Sequence, residues 1–424
     1  MRRALSLALL GLLLASCGQP ARPAITDVQN PPLVSVILNV LTPPGSPANE
    51  PVQLDVVDLL TGLSFNRQAV NMQRSGEGSY ATTLSVPAGS LLTYRYSRVS
   101  AAAAVDEVSA TGEPIAYRSF LVSGAGHVVH DLIAAWADAP ASTLPVGQVA
   151  GRITAADSGQ PLDGIAVRAA GLATLSDAEG RFYFDGLPQG LHNMVLTDPE
   201  GRYQSFQQGA LVAAGSQTPA ELQLQPAVLA NVTFILVPSA NSPAGVPVFL
   251  LGNLTALSRG MVLTTHDGGY SLTLQLPSGT DLRYKYSLGD GFWNAEHYAE
   301  GGFVQRQLII PAGTQQLTVR DTLQGWTAGS SAPLWFDLTA PADSGAVYLQ
   351  FKLLDWATPL PMWDLGGGRY TYVLYSPTNF GEGLEYRYCR DAACSQLEAD
   401  APVRQVNGNQ GEMQQIQDNL SAWQ

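Results

Sequence analysis

The sequence predicts an all-β chain made of four tandem β-sandwich domains, and three observations support this prediction. The 424 residues include 42 glycines and 28 prolines, with Thr, Val, Leu and Tyr between them, which is typical of short strands joined by turns. No window keeps a helical period of apolar residues, whereas residues 270–276 alternate strictly, as a half-buried strand does. A block of sequence also occurs three times, and such a repeat defines a structural unit.

The repeated block contains tyrosines, a turn with Pro and Gly, and near its end an Asp with a Trp five residues later. Its two most similar copies align without a gap, over Tyr80, Leu84, Pro87, Gly89, Tyr94, Tyr96, Asp131 and Trp136, and over Tyr270, Leu274, Pro277, Gly279, Tyr284, Tyr286, Asp321 and Trp326. A looser third copy has Tyr370, Leu374, Pro377, Tyr386, Tyr388, Asp418 and Trp423. Because side chains alternate along a strand, Tyr284 and Tyr286 share one face. We therefore predict that the shared positions build the core and that the Asp and Trp seal the last strand.

Domain boundaries follow from these repeats and from short polar linkers at 137–145 and 327–333. We assign residues 33–136, 146–226, 227–326 and 334–424 to the four domains in order. Residues 17–32 are polar and rich in proline, and we expect them to form a flexible tether.

The first sixteen residues are predicted to be a signal peptide. A pair of arginines precedes an apolar run, 5–14, that is too short to span a membrane. The sequence LASC at 14–17 resembles the lipobox of bacterial lipoproteins, which implies cleavage before Cys17 and lipid attachment to it. The alternative is ordinary cleavage after residue 16, with an incidental cysteine. The resemblance implies an exported chain anchored at the cell envelope or surface, and Gly18 favours the outer membrane if the cell has one.

Charge and cysteine content narrow the possible partners. With a net charge of −13, the chain lacks the basic surface that nucleic-acid binding requires. The N-terminal lipid would be its only membrane contact. In an exported chain, Cys389 and Cys394 are expected to form a disulfide. The alternative, a metal site, would need further ligands nearby. We expect no metal and no cofactor.

The second domain differs from the repeats. Its sequence indicates strands at 149–153 and 165–168 and a tight turn, 177–180, before the aromatic strand RFYF. This pattern resembles the regulatory domain of carboxypeptidases, a transthyretin-like β-sandwich. The resemblance implies a structural spacer, and we expect no functional site there.

The third domain carries NVTF at 231–234, VFLLGN at 248–253, GYSLTLQLPSGT at 269–280 and YKY at 284–286. These segments resemble the starch-binding modules of carbohydrate-binding family 20, and the first and fourth domains resemble them more weakly. The resemblance implies an immunoglobulin-like sandwich of seven or eight strands. It also implies a sugar site in which two Trp rings stack on glucose units beside a Lys.

Residue by residue, the resemblance assigns a sugar-binding role to four side chains. Lys285 matches the family lysine and is expected to face away from the core, and Trp293 stands where the family has its second Trp. No aromatic residue occupies the first Trp position of the third domain. In the fourth domain Trp356 fills that position, Trp363 follows, and Arg387 replaces the lysine. Trp356 and Trp363 are alternatively interpreted as buried loop anchors. We interpret the first domain as a degenerate module with a structural role.

The sequence does not support catalysis, because it has no nucleophile elbow, phosphate loop or histidine pair at metal spacing. Our main hypothesis is a non-catalytic surface lipoprotein that binds α-glucan by aromatic stacking. A structural stalk or protein-interaction scaffold whose modules have lost sugar binding is the competing hypothesis. A third possibility is an accessory partner of a separate glycosidase.

Overall fold

A computed structural model shows that the chain folds into successive β-sandwiches. The structure describes residues 24–25, 31–57, 68–100, 103–139, 142–240, 242, 247–258, 260–266, 268–288, 294–299, 303–326, 334–352, 356–357, 359–374, 383–391, 393–399, 403–407 and 414–424. Across these ranges the regular elements are strands, apart from one 3-10 turn at Thr255–Leu257, and this confirms the predicted all-β class. The described residues include no helix with the length and apolar character of a membrane span.

The first domain packs a sheet of order β10-β2-β6-β5 against a sheet of order β11-β8-β7-β3-β4, in which β9 also pairs with β7. The strands are β2 (Leu33–Leu41), β3 (Val52–Val56), β4 (Gln68–Asn71), β5 (Gln73–Gly76), β6 (Ser79–Pro87), β7 (Leu91–Val99), β8 (Ala104–Val108), β9 (Arg118–Leu121), β10 (His127–Leu132) and β11 (Ala135–Trp136). Between the sheets lies an apolar cluster that includes Val36, Leu54, Tyr94 and Trp136.

The second domain combines sheets of order β15-β12-β18 and β14-β13-β16-β17. Its strands are β12 (Val146–Ala155), β13 (Ala166–Ala169), β14 (Leu172–Leu175), β15 (Arg181–Pro188), β16 (Gly190–Thr197), β17 (Phe206–Val212) and β18 (Gln217–Leu224). The predicted turn precedes β15, where the Gly180 N–H donates to the Asp177 carbonyl at 2.8 Å. Gly180 has a φ of 76°, in the left-handed region that favours glycine.

The third domain has sheets of order β22-β23-β19-β26 and β1-β25-β24-β20-β21. Its strands are β19 (Leu229–Val237), β20 (Phe249–Gly252), β21 (Met261–Val262), β22 (Thr264–His266), β23 (Gly269–Pro277), β24 (Thr280–Ser287), β25 (Arg306–Ile310) and β26 (Gln316–Thr322). The short strand β1 (Ala24–Ile25) comes from the predicted tether and pairs in parallel with β25. Part of the tether is therefore a strand of the third domain.

The fourth domain has sheets of order β30-β31-β27-β34 and β29-β28-β32-β33. Its strands are β27 (Leu334–Thr339), β28 (Tyr348–Lys352), β29 (Leu360–Pro361), β30 (Trp363–Gly366), β31 (Arg369–Leu374), β32 (Leu384–Cys389), β33 (Arg404–Val406) and β34 (Gln414–Asn419). In each of the three repeated modules the strand that comes first in sequence pairs in parallel with the strand of the same sheet that comes last in sequence. The pairs are β2 with β10, β19 with β26, and β27 with β34. The sequence repeat is thus a repeat of sheet topology.

The repeated tyrosines and aspartate form one hydrogen-bonded unit in every copy. Both tyrosine hydroxyls donate to a single carboxylate oxygen, and the buried rings are edge-to-face. The bonds are Tyr94 and Tyr96 to Asp131 at 2.8 Å each, Tyr284 and Tyr286 to Asp321 at 2.9 and 2.8 Å, and Tyr386 and Tyr388 to Asp418 at 3.0 and 2.7 Å. Burial raises the pKa of the second tyrosine of each pair well above its usual value, so that tyrosine remains a neutral donor.

An arginine and a glutamate complete the unit, and the sequence repeat did not reveal them. In the third domain the Arg306 Nη2 donates to Glu296 Oε1 at 2.8 Å, and its Nε lies 3.4 Å from Asp321 Oδ1. Arg118 with Glu107 and Arg404 with Glu398 repeat this arrangement in the first and fourth domains. A buried charge is tolerated when it is paired and hydrogen-bonded, so each member depends on the others.

The repeated tryptophans close the modules at the same place. The indole Nε1 of each donates to a serine hydroxyl in the loop after the first strand: Trp136 to Ser46 at 2.9 Å, Trp326 to Ser242 at 3.1 Å, and Trp423 to Ser344 at 2.8 Å. Trp136 and Trp326 are buried. The shared Asp and Trp positions are therefore structural, as the repeat predicts.

The domains also contact one another. Where the first and third meet, the Leu91 N–H donates to Asp281 Oδ2 at 2.8 Å and Gln307 donates to the buried Ser90 hydroxyl at 2.7 Å. The second domain bonds to the first, where the Leu121 N–H donates to Gln207 at 2.6 Å. It bonds to the third domain through the Thr255 N–H and the Pro199 carbonyl at 2.9 Å.

Candidate functional site

The outer face of the second sheet of the fourth domain presents a row of polar side chains. On β28 and β32 the inward positions, Phe351 and Tyr386 among them, belong to the apolar core. The alternate positions place Gln350 opposite Arg387 and Lys352 opposite Glu385. Strand alternation therefore produces two cross-strand polar pairs on the face away from the core.

Trp356 lies over this polar row. The loop that carries it folds back onto β28, where the Ala357 N–H donates to the Phe351 carbonyl at 2.8 Å and Gln350 Nε2 donates to the Ala357 carbonyl at 2.7 Å. The Arg387 guanidinium carbon is 4.0 Å from the centre of the Trp356 ring. Trp356 is half-buried, so its ring is supported by the sheet and still partly exposed.

The charges around Trp356 are held in place by hydrogen bonds. Arg387 Nε donates to Gln350 Oε1 at 2.7 Å, and Lys352 Nζ lies 2.6 Å from Glu385 Oε2. Desolvation lowers the pKa of Arg387, and the hydrogen bond from Lys352 lowers the pKa of Glu385. The result is an aromatic ring with hydrogen-bonding groups beside it. This combination can stack against the apolar face of a sugar and bond to its hydroxyls.

Trp363 lies in a different environment. Its ring stacks on Tyr372, with centroids 5.1 Å apart and planes inclined by 23°. It is half-buried and packs against the apolar clusters of both the third and the fourth domains. The nearby Asn294 also donates to the Val373 carbonyl at 2.5 Å, which joins the two domains. These contacts favour the anchoring interpretation of Trp363.

Lys285 is where the structure departs from the predicted site. It lies on the face opposite Tyr284 and Tyr286, as alternation predicts, but its side chain is only 1% exposed. The segment after β24 returns over this face, because the Glu296 N–H donates to the Tyr286 carbonyl at 3.0 Å. The Lys285 amine then lies 5.3 Å from the centre of the Phe303 ring. The expectation that Lys285 is open to a sugar is therefore wrong.

The covering segment also buries a histidine. His297 is fully buried, and its ring lies 4.7 Å from that of Phe303. Desolvation, with a smaller contribution from the Lys285 charge, lowers the pKa of His297 to about 4. This face of the third domain is thus packed interior, not a binding surface.

The remaining predicted residues divide into two groups. Trp293 and Cys17 lie outside the described residues. Cys389 and Cys394 are joined by the expected disulfide, with Cα atoms 5.0 Å apart. Inside the loop that the disulfide closes, the Asp391 carboxylate accepts hydrogen bonds from the N–H groups of Ala393, Ser395 and Gln396. The described residues contain no group of three or more His, Cys, Asp or Glu placed to hold a metal ion.

Comparison with known proteins gives a limited result. No family model matches the chain. Over 101 residues, 23% of the chain, the sequence is 36% identical to an alpha-amylase of Niallia circulans, and this match covers 8% of the amylase. The similarity is therefore of the length of one domain in a much longer protein.

Three solved structures show weak overall similarity. They are the Bacillus anthracis TIE protein (TM-score 0.20, 10% identity, 93% of this chain and 70% of that chain), a streptococcal ancillary pilin (0.21, 10%, 68% and 98%) and the shaft pilin SpaA of Lactobacillus rhamnosus GG (0.17, 10%, 46% and 98%). TM-scores this low support no conclusion about function.

Proposed function

We propose that this chain is a non-catalytic carbohydrate-binding protein that holds an α-glucan against Trp356 of its fourth domain. The observation that carries the proposal is the stack of the Trp356 indole on Arg387, at 4.0 Å, above a hydrogen-bonded polar row. A pyranose ring has an apolar face and a hydroxylated rim. A partly exposed indole beside Gln350 and Lys352 matches both.

The choice of α-glucan as ligand rests on sequence similarity. The alpha-amylase of Niallia circulans shares 36% identity with a stretch of domain length in this chain. The motifs of the third domain resemble those of starch-binding modules. Both similarities favour glucose polymers over other polysaccharides, and the match to the amylase covers only 8% of that enzyme. We accordingly propose that the chain acts by binding, alone or beside a separate glycosidase.

The proposed location follows from the N-terminal sequence. Cleavage before Cys17 and lipidation of that residue would anchor the chain at the cell envelope, at the outer membrane if the cell has one. The tether strand β1 pairs with β25 of the third domain. An anchored chain would therefore carry its third domain close to the lipid.

The structural-scaffold alternative is favoured by a specific observation as well. Lys285 is packed under the segment that includes Phe303, and the first three domains bond to one another through buried polar groups. A chain with these features serves as a rigid support whether or not it binds sugar. The two functions are separated by changing Trp356 of the fourth domain in the full chain and measuring glucan binding.

Affinity electrophoresis of the full mature chain tests the proposal. Gels containing amylose, glycogen or pullulan should retard the wild-type chain, and Trp356→Ala should abolish most of the retardation. Trp335→Ala is the matched control, since Trp335 is an exposed indole on β27 of the other sheet of the same domain. Retardation on no glucan would leave the scaffold function, and retardation that survives Trp356→Ala would remove Trp356 from the site.

A further inference from the structure

A cavity lies where the first three domains meet. Its volume is about 260 Å³, and its described lining comes from all three of these domains. Pockets for drug-sized ligands measure roughly 300–1,000 Å³, so this cavity suits one smaller molecule. A monosaccharide is of the appropriate size, whereas a glucan chain is not.

Arg168 is the cation that lines this cavity. It lies on β13 and is half-buried, and its guanidinium carbon is 4.1 Å from the centre of the Tyr117 ring of the first domain. Stacking on a ring face fixes the guanidinium plane and leaves its N–H edge for a planar acceptor. In the described part of the second domain the ion pairs are made by Arg181 and Arg202, and none of them involves Arg168.

Two carboxylates also line the cavity, but each already has donors. Asp198 accepts from Arg202 Nε at 3.0 Å and from the Tyr203 N–H at 3.2 Å. Asp281 accepts from Arg283 Nε at 3.1 Å and from the Leu91 N–H at 2.8 Å. Because these donors compensate both negative charges, Arg168 leaves the cavity with a local positive charge.

Hydroxyl and amide groups also line the cavity, among apolar side chains such as Leu121 and Val195. The polar groups come from Thr197, Ser205, Tyr203 and Asn253. We propose that the cavity binds a hydroxylated carboxylate of monosaccharide size, of the hexuronate class, with its carboxylate on Arg168 and its hydroxyls toward these side chains. This site is independent of Trp356 and does not rest on glucan binding by the fourth domain.

Isothermal titration calorimetry of the full chain with D-glucuronate tests the proposal, with D-glucose as the uncharged match. The chain should bind D-glucuronate, and D-glucose should bind more weakly. Arg168→Gln should weaken D-glucuronate binding about tenfold or more, because a charge-assisted hydrogen bond is lost. Arg168→Lys, which keeps the charge, should retain part of the D-glucuronate affinity.

Two controls isolate the cavity. Arg181→Gln changes an exposed arginine of the same domain and should leave D-glucuronate binding intact, as should Trp356→Ala. Absence of D-glucuronate binding by the wild-type chain would overturn the proposal, as would equal binding of D-glucose or full binding by an Arg168→Gln chain with unchanged thermal unfolding. If the Arg168→Gln chain unfolds, the Arg168→Lys chain decides. Complete loss of D-glucuronate binding by a folded Arg168→Lys chain, which keeps the charge, would contradict a role for the charge.

Discussion

The third and fourth domains have cores of the same design. They differ on the outer face of the sheet that carries the repeated tyrosines. In the third, Lys285 points out of β24 and is covered by the segment that carries His297 and Phe303. In the fourth, Arg387 occupies the corresponding place on β32, remains half-exposed and supports Trp356. One strand pattern thus produces a packed interior in one domain and an open aromatic surface in the other.

A single position marks the same difference. Leu257 of the third domain is fully buried in its 3-10 turn, and Trp356 stands at the corresponding point of the fourth domain. A small aliphatic side chain can be enclosed by its own loop, whereas an indole held above polar groups remains partly in solvent. The block that the three copies share therefore maintains the fold, while the proposed sugar site depends on side chains that the copies do not share.

The largest expected effect breaks the shared core. Asp321→Ala removes the acceptor of two tyrosine hydroxyls and a partner of Arg306, and should destabilise the third domain by about 3–5 kcal/mol. Asp418→Ala should cost the fourth domain less, because the Arg404 side chain is 17% exposed against 3% for Arg306. Hydrogen-exchange mass spectrometry of peptides from β24 and β32 measures the two losses. Equal losses would contradict the difference in burial.

Acid should distinguish the two domains next. Because the pKa of folded His297 is lowered to about 4, the folded third domain resists protonation that the unfolded chain accepts near pH 6.5. The stabilisation is complete above pH 6.5 and is lost as pH falls toward 4, by about 2 kcal/mol at pH 5.

The fourth domain contains no histidine and should therefore lack this histidine-linked loss of stability. Hydrogen exchange at pH 7 and pH 5, corrected for the intrinsic exchange rate, compares the domains directly. The chain with His297→Phe serves as the control and should lose the dependence. A third domain equally stable at both pH values would show that His297 is not protected from protonation.

Arg387→Met should weaken glucan binding about fivefold, corresponding to about 1 kcal/mol, because it removes the cation beneath the Trp356 ring and the bond to Gln350. Retardation in amylose gels at several glucan concentrations gives the affinity. Affinity equal to that of the wild-type chain would show that Arg387 does not support the ring.

Lys285→Met should have the smallest effect on binding, namely none. Lys285 is 1% exposed, and an apolar side chain of similar volume replaces a buried charge at little cost or with a gain in stability. The same gels provide the measurement. A loss of glucan affinity would mean that the covering segment opens and that Lys285 reaches the sugar after all.

The sequence predicted the fold well because the repeated residues each have a local physical signature. Alternation placed Tyr284 and Tyr286 in the core, and the recurring Asp and Trp marked the last strand of every module. The arginine of the buried network escaped notice because its spacing to the aspartate is not constant: Arg118 and Asp131 are 13 residues apart, and Arg404 and Asp418 are 14 apart. Because the segment between the arginine and the aspartate varies in length, a gap-free alignment of the copies does not detect this repeated contact.

The candidate site was predictable only in part. The alignment of Trp356 with a missing aromatic position identified a residue that the structure places on a polar row. Burial of Lys285 was not predictable, because it depends on where Glu296, His297 and Phe303 lie, and no periodic pattern specifies that. The cavity beside Arg168 was equally hidden, since the residues of its walls belong to three domains and are far apart in sequence.

Calorimetric titration of the full chain with maltoheptaose, with and without Trp356→Ala, tests the central claim most directly. Binding of maltoheptaose should fall at least about tenfold in the Trp356→Ala chain, and the Trp335→Ala chain should bind as the wild type does. Absence of maltoheptaose binding by the wild-type chain, or unchanged affinity after Trp356→Ala, would contradict it.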